Sequence, residues 1–228
     1  MQRPLSAVWV STRPRVLRLE GFLSSSDCAS LRNLTEPRLE SCTVDAYRAS
    51  AIRTSSGCWL PRSDLAGAWS NSVNRNLVAK IEARIERVSG VPLDHGEPLQ
   101  ALRYRAGESY KMHVDYLGRG DGDELSRAGQ RVATLLVYLA TLPDKNGGAT
   151  LFPRSRRVGP PLRIQPVEGD AILWWNTLPN GAPDPLSRHA SEAVRRGQGA
   201  LVEKWALSKW LRARPLEIDE DAAAAAGF

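Results

Sequence analysis

Apolar positions along the chain follow two regimes. Between residues 24 and 90 they recur every three to four positions. Ser24-Ser25-Ser26-Asp27 is an N-cap signal, with Cys28, Leu31 and Leu34 at helical spacing behind it. Val73, Leu77, Ile81, Ile85 and Val88 form a longer stripe that Gly90 closes, so a second helix is predicted there. From about Leu99 short apolar runs take over: 99–105, 110–116, 132–140, 149–152, 162–165, 171–174 and 200–210. Turn-rich links separate them, such as Asp144-Lys145-Asn146-Gly147-Gly148 and Thr177-Leu178-Pro179-Asn180-Gly181. Ahead of the helices, residues 1–20 read as an arm leading into a strand at Val16, Leu17 and Leu19. Helices followed by many short strands predict an α+β fold, with the helices packed on one face of a sandwich- or barrel-like β core.

Composition narrows this picture. The 228 residues suffice for one domain with a sizeable core, and 42% hydrophobic content excludes a disordered or disulfide-dense chain. No apolar run approaches the roughly 20 residues of a membrane span, and Met1–Val10 lacks the apolar core of a signal peptide. The net charge is +6, but Glu217, Asp219, Glu220 and Asp221 stand alone in the tail, which leaves +10 on residues 1–214. Such a body suits an acidic partner or simply a solubilising surface. The Arg154/Arg156/Arg157 and Arg195/Arg196 clusters lack the interleaved aromatics of a single-strand binder, so no nucleic acid is expected. Cys28, Cys42 and Cys58 have no zinc-site spacing; Cys42 and Cys58 would pair only in an oxidising compartment.

The histidine count constrains chemistry most, because there are only three. His113 and Asp115 are one residue apart in the run 110–116, which puts both side chains on one face of a strand. An HxD pair by itself more often marks a hydrogen-bonded histidine. With His189 as a third ligand, however, the set becomes two histidines and a carboxylate, the facial triad of non-haem Fe(II) oxygenases. In the last strand, parity groups Val202, Lys204, Ala206, Ser208 and Trp210 on one face. A lysine among small and apolar neighbours is either an edge residue or a buried cation awaiting an anion. Gly147-Gly148-Ala149-Thr150 adds a turn that opens into a strand, with the Thr150 hydroxyl placed to donate.

Several motifs in order carry a resemblance: Gln100-Ala-Leu-Arg-Tyr104 through Tyr110-Lys-Met-His113-Val-Asp115, then Gln130-Arg131 through Tyr138, Gly147 to Pro153, Gly169-Asp170 through Trp175, Arg188-His189 and Lys204-Trp205 through Trp210. Together they resemble the catalytic domains of prolyl 4-hydroxylases, which are Fe(II)/2-oxoglutarate dioxygenases. The resemblance is strong over 99–211, weak near Pro14-Arg15-Val16, and includes Arg53-Thr54-Ser55-Ser56-Gly57 as a substrate-side loop. It implies a double-stranded β-helix (jelly roll) with Fe(II) on His113, Asp115 and His189. Lys204 would pair with the distal carboxylate of 2-oxoglutarate, Thr150 and Tyr104 would hydrogen-bond it, and Trp210 would line its pocket. Arg131, Arg53 and Trp59 match positions that face the peptide. The reaction implied is 4-hydroxylation of peptidyl proline with O2, releasing succinate and CO2, with L-ascorbate restoring oxidised iron. Family members often work in the endoplasmic reticulum or secretory pathway; with no signal peptide visible, a cytoplasmic location stays open.

The resemblance divides the chain into an arm (1–14), a support region (15–98), a dioxygenase core (99–214) and a tail expected to be disordered (215–228). It also departs from the family. Relatives usually place the lysine about ten residues past the distal histidine. Here Arg195-Arg196-Gly197-Gln198-Gly199 intervenes and reads as a longer hairpin loop, on which the Lys204 assignment depends. Lys209 sits on the wrong face to replace Lys204, and Arg212 stands where relatives often have histidine. His95 is expected to be structural or exposed. The alternatives are a related dioxygenase acting on peptidyl lysine or alkylated nucleic acid, or a non-catalytic jelly-roll binding module. The nucleic-acid branch uses arginines after the distal histidine, where this chain has Gly199.

Overall fold

A computed structural model describes residues 4–41, 52–64, 71–118, 120–156, 159–197 and 202–218. The tail beyond Ile218, Cys42 and the Gln198–Gly199 part of the insertion lie outside the described residues. Among the described residues, three α-helices and twelve strands follow in chain order: β1 (Ser6–Thr12), β2 (Arg15–Glu20), α1 (Ser25–Thr35), β3 (Glu40–Ser41), β4 (Ser56–Leu60), α2 (Ser72–Ser89), β5 (Leu99–Tyr104), β6 (Tyr110–His113), α3 (Gly122–Ala128), β7 (Arg131–Tyr138), β8 (Thr150–Phe152), β9 (Leu162–Ile164), β10 (Ala171–Trp175), β11 (His189–Ser191) and β12 (Lys204–Arg212). Their pairings are antiparallel and form an eight-stranded sheet, β1-β2-β10-β7-β12-β5-β4-β3, and a four-stranded sheet, β6-β11-β8-β9.

The caps read from the sequence are present. Ser24 accepts from the Asp27 backbone N–H, and the Asp27 side chain accepts from Ser24 in return, a capping box that starts α1. Gly90 ends α2 with φ of 69°. The buried stripe of α2 is Val78, Ile81, Glu82 and Ile85, whereas Val73 is exposed. Residues 6–12 are a strand rather than an arm, because β2 offers them a ladder partner, with a break in register between Trp9 and Ser11. That strand, β3, β4, β11 and α3 were not foreseen. Segments of two or three residues, and strands whose two faces are both covered or both open, leave no periodic signal.

Strand parity explains how the large sheet serves both core and cavity. Leu173, Leu135 and Lys209 are aligned partners on its outer face, as are Ala171, Val137, Leu207 and Ala101. The apolar ones among them pack in one cluster with Cys28 and Leu31 of α1 and Val78, Ile81 and Ile85 of α2. The inner face carries Trp174, Thr134 and Trp210 in one row and Lys204 opposite Tyr104 in another. All nine residues of β12 are buried, so this strand is covered on both sides.

One outward residue of β12 is charged. The Lys209 ammonium is fully buried and meets Glu82 of α2 at 2.6 Å, while Glu82 also accepts from Ser63 N and Oγ. Gly96 is required beside them, since a Cβ there would run into the Lys209 side chain. Removing one member of such a pair strands the other charge in a low-dielectric interior. Lys209→Met is therefore expected to destabilise the protein by about 3–5 kcal/mol in urea unfolding, and Glu82→Leu added to it to recover most of the loss.

Candidate metal centre and anion pocket

His113 ends β6 and His189 begins β11, and the two are aligned partners in the small sheet. Their rings lie 4.2 Å apart, centre to centre. Asp115 is not on the strand with His113. The β6 ladder stops at His113, and the chain turns away, clamped by Gln130, which donates to Leu117 O and accepts from Leu117 N. Past the end of the ladder, the Asp115 carboxylate lies on the side of both histidines. Its two oxygens lie 3.5 Å from His113 Nε2 and 3.6 Å from His189 Nε2. Ligand atoms of all three residues fall within 4.8 Å of one another.

Both rings are oriented by backbone. His113 Nδ1 lies 2.7 Å from Lys111 O and His189 Nδ1 lies 3.0 Å from Ser187 O. A carbonyl accepts only, so each Nδ1 carries the proton and each Nε2 presents a lone pair towards the carboxylate. Burial, then the neighbouring His189, pushes the His113 pKa down to about 3, which keeps the ring neutral. Burial works to raise the Asp115 pKa, but the two histidines and the Thr134 hydroxyl outweigh it and hold the carboxyl below its usual range. Two imidazoles with Nε2 turned inward and a carboxylate, with space beside them, are the donor set of an open divalent iron site. His95 lies elsewhere, its Nδ1 3.2 Å from Arg212 O.

The cavity runs between the sheets from this triad to Lys204. Lys204 Nζ donates to Ser191 Oγ at 2.7 Å and lies 5.3 Å and 5.9 Å from the ring centres of Tyr104 and Tyr138. No carboxylate reaches ion-pair distance of Lys204 among the described residues. Burial without that compensation lowers its pKa to about 7. Tyr138 donates to Thr150 Oγ1 at 2.8 Å, which leaves the Thr150 proton free to point elsewhere. Such a pocket is built for a small anion. The Gly147-Gly148 turn brings β8 here: Gly147 has φ of 65°, and a Cβ on it would meet Ala193 O.

Residues expected at the peptide side form a second group. Arg53 is buried, donating to Ser55 Oγ and Gln100 Oε1 and lying 5.1 Å above the Tyr110 ring. Tyr110 stacks on His113 at 3.5 Å. Trp59 and Trp210 face each other at 5.8 Å. Arg131 spends Nε and Nη2 on Glu97 at 2.6 and 2.7 Å and covers Trp210 at 4.5 Å. It braces the aromatic wall. Glu97 also binds the buried Arg212 at 3.0 Å, so that position is part of the brace. Sequence reasoning missed Thr134, Tyr138, Ser191 and Asn176. The available signal was a lone hydroxyl, Thr134, inside the apolar run of β7.

Comparison with known proteins bears on this site. The 2OG-Fe(II) oxygenase superfamily profile matches residues 99–212. Prolyl 4-hydroxylase 1 of Arabidopsis thaliana is 36% identical over 216 residues, 89% of this chain and 70% of that protein. Probable prolyl 4-hydroxylase 10 of the same plant is 32% identical, covering 92% and 72%. Among solved structures, viral collagen prolyl hydroxylase from Paramecium Bursaria Chlorella virus-1, as its 2OG complex, has a TM-score of 0.61 at 24% identity, covering 87% of this chain and 96% of the other. A Pseudomonas putida prolyl-4-hydroxylase gives 0.58 at 17%, covering 86% and 92%. The structural matches show a shared fold.

The unpaired Lys204 has a consequence for the protein without ligand. Its folded pKa of about 7 lies below the 10.5 of an ordinary lysine, so the unfolded chain binds more protons between those limits. The cost is full below pH 7 and vanishes as pH rises towards 10.5. Lys204→Met is expected to be more stable than the parent by about 1–4 kcal/mol at pH 6, with the gap closing by pH 10; thermal unfolding at the two pH values checks it.

Proposed function

The chain belongs to the prolyl 4-hydroxylases of the 2OG-Fe(II) oxygenase superfamily, and on that premise we propose that it hydroxylates C4 of peptidyl proline, consuming 2-oxoglutarate and O2 and releasing succinate and CO2. One observation carries the reading: a single cavity holds a His–Asp–His convergence at one end and, at the other, a buried ammonium with no carboxylate among the described residues. A dicarboxylate that chelates a metal through one end and meets Lys204 with the other fits that span.

His113, Asp115 and His189 would hold Fe(II), and Lys204 the distal carboxylate, assisted by the Thr150 hydroxyl that Tyr138 orients. When bound, iron and 2-oxoglutarate supply the oxidising chemistry, with the co-substrate giving up two electrons as it is cleaved to succinate and CO2. The protein's part is positioning. Lys111 O and Ser187 O keep both Nε2 lone pairs available. Leu102, Leu136 and Ala206 line the cavity with apolar surface that excludes water. Tyr104 borders Lys204. The tilted Trp59–Trp210 pair offers flat apolar faces to a proline ring, as aromatic grooves do for extended proline-rich peptides. L-Ascorbate is expected to sustain turnover as in the family.

Purified protein with Fe(II), 2-oxoglutarate, ascorbate and a proline-rich peptide is expected to form succinate and add about 16 Da per hydroxylation, the mass of one oxygen atom. His113→Ala and His189→Ala are expected to fall to background, and an active variant of either kind overturns the metal assignment. Lys204→Met is expected to raise the 2-oxoglutarate requirement at least about 10-fold. Trp59→Ala is expected to raise KM for peptide while leaving peptide-free 2-oxoglutarate consumption near the parent rate. Peptide binding without succinate formation would mark a binding module instead.

A further inference from the structure

Asp115 is the ligand candidate with the least backbone support, since it stands beyond the end of β6. Its orientation comes from the large sheet. Thr134 Oγ1 on β7 donates to Asp115 Oδ2 at 2.8 Å, and Asn176 Nδ2 donates to the same Oγ1 at 2.9 Å. Thr134 and Asn176 are both completely buried. A hydroxyl has one proton, and an ionised carboxylate only accepts. The Thr134 proton therefore goes to Asp115, and the Asn176 amide, by filling the hydroxyl lone pair, holds it there. A rotated Asn176 would present its oxygen instead and draw that proton away.

Asn176 is also tied to the other side of the centre. Its backbone N–H donates to Val132 O, and its carbonyl accepts from Asp184 N, both at 2.8 Å. Ser187 Oγ donates to Asp184 O, and Ser187 O receives His189 Nδ1. One residue just past β10 thus reaches Asp115 through its side chain and His189 through its backbone. We propose that Asn176 is a positioning residue for the metal centre, acting through Thr134 to hold the Asp115 carboxylate where it meets His113 Nε2 and His189 Nε2. This rests on the reading of His113, Asp115 and His189 as metal ligands.

A merely structural asparagine would affect stability and leave metal affinity alone, so the test is metal binding by the full chain. Co(II) serves as probe, titrated by calorimetry and followed by its visible spectrum, which reports ligand geometry without any turnover. Thr134→Val, which keeps the shape and removes the hydroxyl, is expected to weaken Co(II) binding about 10- to 100-fold and alter the spectrum. Thr134→Ser is expected to retain parent affinity. Asn176→Ala and the near-isosteric Asn176→Leu are expected to weaken binding about 10-fold, and neither is expected to add to the effect of Thr134→Val. Asp115→Ala separates the two ideas: if it binds Co(II) like the parent, the metal assignment itself falls. If Asp115→Ala loses binding while Thr134→Val keeps parent affinity and spectrum, the relay falls. Additive losses in the Thr134→Val/Asn176→Leu double variant would overturn the claim that Asn176 acts through Thr134.

Discussion

β12 buries two ammonium groups five positions apart, on opposite faces of the same strand, and the molecule treats them differently. Taking an ammonium out of water costs several kcal/mol unless a counter-charge is supplied. For Lys209 the counter-charge is internal: Glu82 of α2 sits against it, and the pair pins the helical layer to the outer face of the sheet. For Lys204 the chain supplies a hydroxyl and two aromatic rings and leaves the charge uncompensated among the described residues. The first lysine completes the fold, while the second leaves a cost that a bound anion, or loss of the Lys204 proton, relieves. Burial of the strand on both faces withdraws both side chains from bulk water.

The same division of labour runs through the metal centre. The small sheet contributes the histidines, aligned across β6 and β11 and fixed in tautomer by local carbonyls. The large sheet contributes what those strands lack. Thr134 restrains the carboxylate, Trp174 lies edge-on to His189 at 4.7 Å, and Arg131 with Glu97 braces Trp210. Neither sheet holds a complete site. Packing them face to face encloses the cavity and sets Thr134 and Lys204 against the triad of the small sheet, which ties integrity of the site to integrity of the fold.

Much of this was legible in the residue order because it rests on short-range rules. The caps of α1 and α2, the grouping of Lys204 with Ala206, Ser208 and Trp210, and the scarcity of histidine all follow from local spacing. The misreadings have physical causes too. Asp115 was assigned to the strand of His113 on parity, but the strand ends first, since its partner β11 is only three residues long. For Arg131, residue order does not reveal that Glu97, 34 positions away, occupies two of its nitrogens. Residues 6–12 lacked clear alternation because an edge strand exposed on both faces has no need of it.

The amino-acid sequence by itself determined the donor types, their order along the chain, the two longer helices and the longer extended runs of the core, and which side of the last strand its lysines occupy. Those properties depend on side-chain chemistry and on backbone periodicities of two and 3.6 residues. Tertiary structure alone decided that Glu82 meets Lys209, that Asn176 reaches Asp115 through Thr134, and that Lys204 lacks a carboxylate among the described residues. Each depends on groups tens of residues apart being placed within about 3 Å, the reach of a hydrogen bond. Local pattern does not encode that distance; the packing of two sheets and a helical layer does.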